Sequence, residues 1–234
     1  MPPGLLEGLT GIKNRRFWTA GMAPSDAAAL AAQKVLDQTT VDRTKIGALI
    51  NTSVSRDYLE PSTAAIVQGK IGLGRDCINF DVGSACLGFL QGASIAASMI
   101  ERGEIEHALI VAGEDGRPIV EKTLENLQDP ETDDASFREQ FACLTLGSAA
   151  VAMVLSLAEP DDGQPRFLGG LSVSATQHYA LSVGDYDGGR TDSQALLMGG
   201  LNLAEDGWAE ASLTFGWHVA DVHTFAIHQV SKVH

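Results

Sequence analysis

Apolar residues fall along this chain in blocks separated by short polar turns. Ile46-Gly47-Ala48-Leu49-Ile50-Asn51 and His107-Ala108-Leu109-Ile110-Val111-Ala112-Gly113 are apolar on both alternating faces, the pattern of strands covered on two sides. Cys77-Ile78-Asn79-Phe80 is a shorter β-prone run, and Gly147 to Leu155 reads as a further strand. Helical patterns lie between them. Ser25-Asp26 caps a helix running to about Asp37 that buries Ala28, Ala31, Ala32, Val35 and Leu36. Ser62 to Ile71 is the helix returning from the first strand, and an apolar helix opens at Cys86 and runs to about Glu101. This β, α, β, α, β alternation predicts an α/β fold on a mainly parallel sheet.

Beyond these blocks the pattern loosens. Glu114 to Phe141 is acidic and polar, with Glu131-Thr132-Asp133-Asp134 reading as a solvated loop between short helices. Glu159-Pro160-Asp161-Asp162-Gly163-Gln164-Pro165 is the clearest linker, so the chain divides into 1–158, a linker at 159–166, and 167–234. The last part is expected to hold a strand near Phe167 to Ser174, a glycine-rich loop at 184–191, and a helix from about Ser193 to Val219.

With 234 residues and 44% apolar composition, the chain is long enough for a substantial core. Its net charge of −14 argues against general nucleic-acid binding, which needs a basic face. Three cysteines, Cys77, Cys86 and Cys143, form no C-x-x-C pair, so neither a disulfide framework nor a zinc ribbon is expected, and a reducing cytoplasm fits. His178, His218 and His223 lack metal-ligand spacing and read as surface or satisfied histidines. Residues 141–158 carry no charge, but Thr145, Gly147, Ser148 and many alanines favour a buried strand over a membrane span.

The chemistry gathers at Asp81-Val82-Gly83-Ser84-Ala85-Cys86-Leu87-Gly88-Phe89, which reads as strand, tight turn and helix. A thiol at a helix start is favoured as thiolate by unpaired N–H groups and the helix dipole. Free cysteine is also among the most buried residue types, so an ordinary core cysteine is the competing reading. The segment resembles the nucleophile turn of the thiolase superfamily, in its ketoacyl-synthase III-like branch. Phe225-Ala226-Ile227-His228-Gln229-Val230-Ser231 resembles that branch's histidine motif, 142 residues beyond Cys86. Asn51-Thr52-Ser53-Val54-Ser55-Arg56-Asp57-Tyr58-Leu59-Glu60-Pro61-Ser62-Thr63 is similar to the enzymes that join two fatty acyl-CoA molecules head to head at the start of long-chain olefin synthesis.

The resemblance implies a thiolase-like fold, layered αβαβα in two pseudo-repeated halves, with the second half incomplete in this chain. Cys86 is then the nucleophile that takes an acyl group from coenzyme A, and His228 accepts the thiol proton or stabilises an enolate. Glu60, by its sequence an ordinary loop glutamate, becomes a base that crosses a homodimer interface into the partner's site. Arg56 and Asp57 are expected to pair and shape that loop. Acyl-CoA thioesters are the substrates, with no cofactor or metal. By the same analogy Lys13, Arg15 or Arg16 meets coenzyme A phosphates with Trp18 packed nearby, against the alternative of a solvated turn.

The chain ends six residues after His228, before the Asn-Gly-type loop that the family's second half carries, and it also lacks the family's first strand, so it is expected to be truncated at both ends. Two other functions stay open: a decarboxylative 3-oxoacyl-[acyl-carrier-protein] synthase III, for which Glu60 is unnecessary, and an inactive subunit acting through its dimer interface.

Overall fold

The computed structural model describes residues 4–159, 163–185 and 188–228. Its element order begins with α1 (Leu5–Thr10), α2 (Pro24–Gln38), β1 (Ile46–Asn51), α3 (Thr63–Ile71), β2 (Ile78–Asp81), α4 (Gly88–Glu101) and β3 (His107–Glu114). It continues with α5 (Arg117–Leu127), α6 (Asp134–Gln140), β4 (Ala149–Ser156), β5 (Ser182–Asp185), β6 (Gly188–Thr191) and α7 (Ser193–Phe215). The chain forms two compact units, one of residues 16–115 and 148–169, the other of 1–15, 116–147 and 170–234.

The first unit is built on a four-stranded sheet in the order β2-β1-β3-β4, with β1 parallel to both neighbours and β4 antiparallel to β3. The two-sided apolar runs produce three layers. Leu49, Leu109 and Val111 face one way and pack with Ala28, Ala32 and Leu36 of α2 and Ala64 and Val67 of α3. Ala48, Ile50, Ala108 and Ile110 face the other way onto Ala96, Met99 and Ile100 of α4. Leu49, Ile50, Leu109 and Ile110 are fully buried, each side chain contributing roughly 1.5–3 kcal/mol of burial.

Helix α2 begins two residues earlier than a Ser25 cap suggests. Ala23 is the N-cap and Pro24 the first helical residue, while the Asp26 carboxylate accepts the Ala23 N–H at 3.1 Å. Lys70 donates to that same carboxylate at 2.6 Å and holds it below the usual Asp range.

The second unit contains the β5–β6 hairpin, α1, α5, α6 and α7. Three expectations change here and at the unit boundary. In the stretch expected to be a glycine-rich loop, Gly184 and Asp185 end β5 and Gly188–Thr191 form β6, with 186–187 outside the described residues. Helix α7 stops at Phe215, where Gly216 turns left-handed at φ 68°. Residues 167–174 form no strand, because none of the described strands pairs with them. Residues 141–158 also divide, into a 3-10 turn at Phe141–Thr145 and the partly exposed β4. The described part of the 159–166 linker is irregular, and 160–162 lie outside the described residues.

Among the described residues no helix is long and apolar enough to cross a membrane.

Candidate functional site

Because β1, β2 and β3 are parallel, the segments after Asn51, Asp81 and Glu114 all leave the same end of the sheet, the end where open α/β sheets place their ligands. Cys86 lies in the turn after β2. Val82 N–H continues the pairing to Asn51 C=O at 2.8 Å, and a short 3-10 helix at Ala85–Leu87 leads into α4. Ala85, at φ 43°, is the one non-glycine residue with positive φ among the described residues. Such backbone strain clusters at functional sites, where the surrounding structure imposes it. The turn leaves Cys86 exposed, whereas Cys77 and Cys143 are buried.

Cys86 therefore precedes the helix proper, which starts at Gly88. A Cβ at Gly88 would stand 2.7 Å from the Thr52 carbonyl oxygen, and one at Gly92 would stand 2.8 Å from Thr52 Cγ2. Only glycine allows α4 to start this close to the end of β1. Thr52 is itself fixed, since its N–H and hydroxyl both reach the Val111 carbonyl, at 2.9 and 3.1 Å. Burial separates the other thiols chemically, pushing Cys77 up to about 11 and Cys143 in the same direction.

Glu60 sits in the segment that leaves β1. Tyr58 and Leu59 beside it are 63% and 81% exposed, and Glu60 makes no hydrogen bond or ion pair among the described residues. Its Pro61 follows through a cis peptide bond. The expected Arg56–Asp57 pair does not form. Asp57 instead accepts the Ser25 N–H at 2.9 Å and the Ser25 hydroxyl, and Lys70 donates to that hydroxyl at 2.6 Å. A carboxylate beside the first turn of α2 finds uncommitted N–H donors there, which an adjacent, solvent-exposed arginine cannot match.

Several residues that hold this end of the sheet were not singled out in the sequence. Asp81 accepts from Thr63 N–H at 3.0 Å, Ala64 N–H at 2.8 Å and Asn51 Nδ2 at 3.2 Å, closing the first turn of α3. The buried Ser53 hydroxyl accepts Gly113 N–H at 2.7 Å and donates to Asn51 Oδ1 at 2.8 Å. Glu114 accepts from Val54 N–H, Ser55 N–H and the Ser55 hydroxyl. The available signal was a polar residue ending each apolar strand run, Asn51, Asp81 and Glu114 alike.

His228 belongs to the other unit and is exposed. It follows Phe225, which packs edge-on against Trp208 of α7 with ring centroids 5.5 Å apart. The remainder of its motif, Gln229 to Ser231, lies outside the described residues. In the basic N-terminal patch, the Arg15 guanidinium donates to the Leu144 carbonyl, which supports a structural use for that side chain. Among the described residues no group of three His, Cys, Asp or Glu is placed to hold a metal ion.

Comparison with known proteins gives a consistent set of relatives. Residues 80–169 match the family described as 3-oxoacyl-[acyl-carrier-protein] synthase III. An acyl-CoA:acyl-CoA alkyltransferase of Xanthomonas campestris is 46% identical over 98% of this chain, which spans 68% of that relative. Its counterpart in Shewanella oneidensis is 37% identical, with 98% and 69% covered. A crystal structure of a glutamate-to-alanine variant of Xanthomonas campestris OleA superposes with a TM-score of 0.95 at 45% identity, covering all of this chain and 68% of that one. A cysteine-to-serine variant, solved with bound lauric acid and lauroyl-CoA, matches with the same score. In a third a histidine is replaced by alanine. The substituted glutamate, cysteine and histidine of that protein are spaced 26 and 142 residues apart, as Glu60, Cys86 and His228 are here.

Proposed function

Since this chain belongs to the acyl-CoA:acyl-CoA alkyltransferases of the thiolase and ketoacyl-synthase III family, we propose that it condenses two fatty acyl-CoA molecules without decarboxylation, using Cys86, Glu60 and His228. The observation that carries this reading is the exposed Cys86 on a strained turn, with the Glu60 segment leaving the same end of the sheet. The matching spacing of the three substituted residues in the Xanthomonas protein supports the same trio.

Cys86 Sγ attacks the thioester carbonyl of the first acyl-CoA; the carbon–sulfur bond to coenzyme A breaks, and coenzyme A leaves. Backbone N–H groups of the turn are suited to receive the developing oxyanion. The second acyl-CoA has no carboxylate to lose, so its α-proton passes to the Glu60 carboxylate. The resulting enolate carbon bonds to the acyl carbonyl, the bond to Sγ breaks, and the product is a 2-alkyl-3-ketoacyl-CoA. His228 takes the thiol proton in the first stage or donates a hydrogen bond to the enolate in the second.

We further assign Glu60 to the active site of a second copy in a homodimer. Its lack of a hydrogen-bond or ion-pair partner among the described residues, the exposed Tyr58 and Leu59 beside it, and the exposed Ile78 on edge strand β2 support that assignment. A division into pseudo-repeated halves at 159–166, one contributing Cys86 and the other His228, belongs to the same reading.

The decarboxylative alternative is favoured by the match to the family of 3-oxoacyl-[acyl-carrier-protein] synthase III. That match spans 80–169 and contains Cys86 but neither Glu60 nor His228, so it covers a segment both chemistries share. The match to the Xanthomonas campestris protein spans 98% of the chain, and the glutamate, cysteine and histidine substituted in its solved variants have the spacing of all three residues.

Mass spectrometry of Cys86 loading beside product analysis, with myristoyl-CoA alone or with a malonyl thioester added, separates the two. Glu60→Ala is expected to load Cys86 normally and fail to join two acyl-CoA molecules. Wild-type condensation of myristoyl-CoA by that variant overturns the assignment.

A further inference from the structure

We propose that Glu114, working through Ser55, is the positioning residue for the Glu60 segment; this rests on the reading of Glu60 as the base. In the sheet order β2-β1-β3, strand β1 lies between two strands that each end in a carboxylate, Asp81 on β2 and Glu114 on β3. Both carboxylates turn toward the segment leaving β1. Glu114 Oε1 accepts Val54 N–H at 2.6 Å, while Oε2 accepts Ser55 N–H at 3.0 Å and the Ser55 hydroxyl at 2.7 Å. The same hydroxyl accepts Asp115 N–H at 3.0 Å, so it bridges the end of β3 to the start of the segment. At the far root, Asp81 holds Thr63 and Ala64 N–H.

The segment is therefore clamped at 54–55 and again at 63–64, with Asp57 fixed to Ser25 between them. Residues 58 to 61 are exposed. The direction in which Glu60 leaves the sheet is inherited from these anchors. Two oxygens used on two successive residues fix orientation as well as distance, which a single hydrogen bond does not. Asp81 lies five residues before Cys86, so removing it disturbs both the nucleophile turn and the segment. Among the described residues the side-chain hydrogen bonds of Glu114 and Ser55 reach only the segment and the end of β3, away from the Cys86 turn, so these two residues give the clean test.

Wild type, Ser55→Ala, Glu114→Gln, Glu60→Ala and the Ser55→Ala/Glu60→Ala double variant are compared for Cys86 loading and for condensation, with myristoyl-CoA as substrate. Ser55→Ala is expected to load within about twofold of wild type and to condense about 10- to 100-fold more slowly, the penalty of a misplaced reacting group. Glu114→Gln, which turns one acceptor into a donor facing the segment's N–H groups, should do the same. Adding Ser55→Ala to Glu60→Ala should cause no further loss.

Equal losses of loading and condensation, or an additional loss in the double variant, overturn the positioning role. Unchanged condensation in Ser55→Ala and Glu114→Gln while Glu60→Ala is inactive overturns it and leaves the base reading standing. Wild-type condensation by Glu60→Ala overturns both. Independently of turnover, hydrogen exchange should rise in residues 54–61 of Ser55→Ala with β1 and β3 still protected; unchanged exchange there overturns the clamp.

Discussion

The same substitution, glycine to alanine, should have opposite effects at two helical positions of this chain. At Gly88 the added methyl would lie 2.7 Å from the Thr52 carbonyl oxygen, 3.4 Å from Thr52 Cβ and 3.5 Å from the Val82 carbonyl oxygen. Ordinary contact begins at 3.4 Å, so the methyl is too close to one backbone oxygen by about 0.7 Å. Thr52 is tied to Val111 by two hydrogen bonds, so the start of α4 has to move instead. Overpacking of this kind costs about 1–3 kcal/mol, and the better helix propensity of alanine returns at most about 1 kcal/mol. With that full offset Gly88→Ala is expected to be less stable by up to about 2 kcal/mol, lowering the melting temperature by up to several degrees in a chain of this size. At Gly69, on the exposed side of α3, a Cβ meets nothing within 4 Å, and Gly69→Ala should gain about 0.5–1 kcal/mol. Denaturant melts of both variants measure these signs. The moving helix start also carries the Cys86 turn, so Gly88→Ala should load acyl groups about 10- to 100-fold more slowly, while Gly69→Ala loads normally. A Gly88→Ala protein with wild-type stability and loading would refute the close-approach argument. Equal destabilisation by Gly69→Ala would show that the local contacts do not decide the sign.

Two further expectations concern the thiols. With burial holding Cys77 up at about 11, only about one molecule in ten thousand carries its thiolate at pH 7, about a hundredfold below a free thiol of pKa 9.0. Cys86 is exposed, so in the folded chain it should label with a thiol reagent well before Cys77 and Cys143; peptide mapping of a brief reaction reads this, and equal labelling of all three removes the case for an accessible nucleophile. The raised Cys77 value also makes stability fall with alkali: below pH 9 the thiol is protonated folded and unfolded, and between 9 and about 11 the unfolded chain releases its proton first. Denaturant titrations should show a shallower decline over that range in Cys77→Ala, with part remaining from Cys143, which burial shifts the same way; an unchanged slope would count against it.

The spans of β1 and β3, the helices beside them and the turn at Cys86 were legible in the amino-acid sequence. They depend on local patterns: apolar runs of strand length, small residues at a reversal, and a polar cap before a helix. The resemblance likewise singled out Glu60, Cys86 and His228 through short segments. What holds the candidate site was not legible. Asp57 pairs with Ser25 from 32 residues away and not with its neighbour Arg56; Glu114 reaches Ser55 across 59 residues. Both choices depend on which donors the sheet order brings beside each carboxylate. Residues 167–174 have a strand-like composition yet no described strand to pair with, and the stretch that looks like a glycine-rich loop pairs Gly184 with Gly189 and Asp185 with Gly188. The three thiols are chemically alike as sequence, and only the tertiary structure buries Cys77 and Cys143 while leaving Cys86 exposed. Local periodicity sets an element's type and place along the chain, whereas hydrogen-bond partners, burial and pKa depend on contacts between distant residues that exist only after the sheet has assembled.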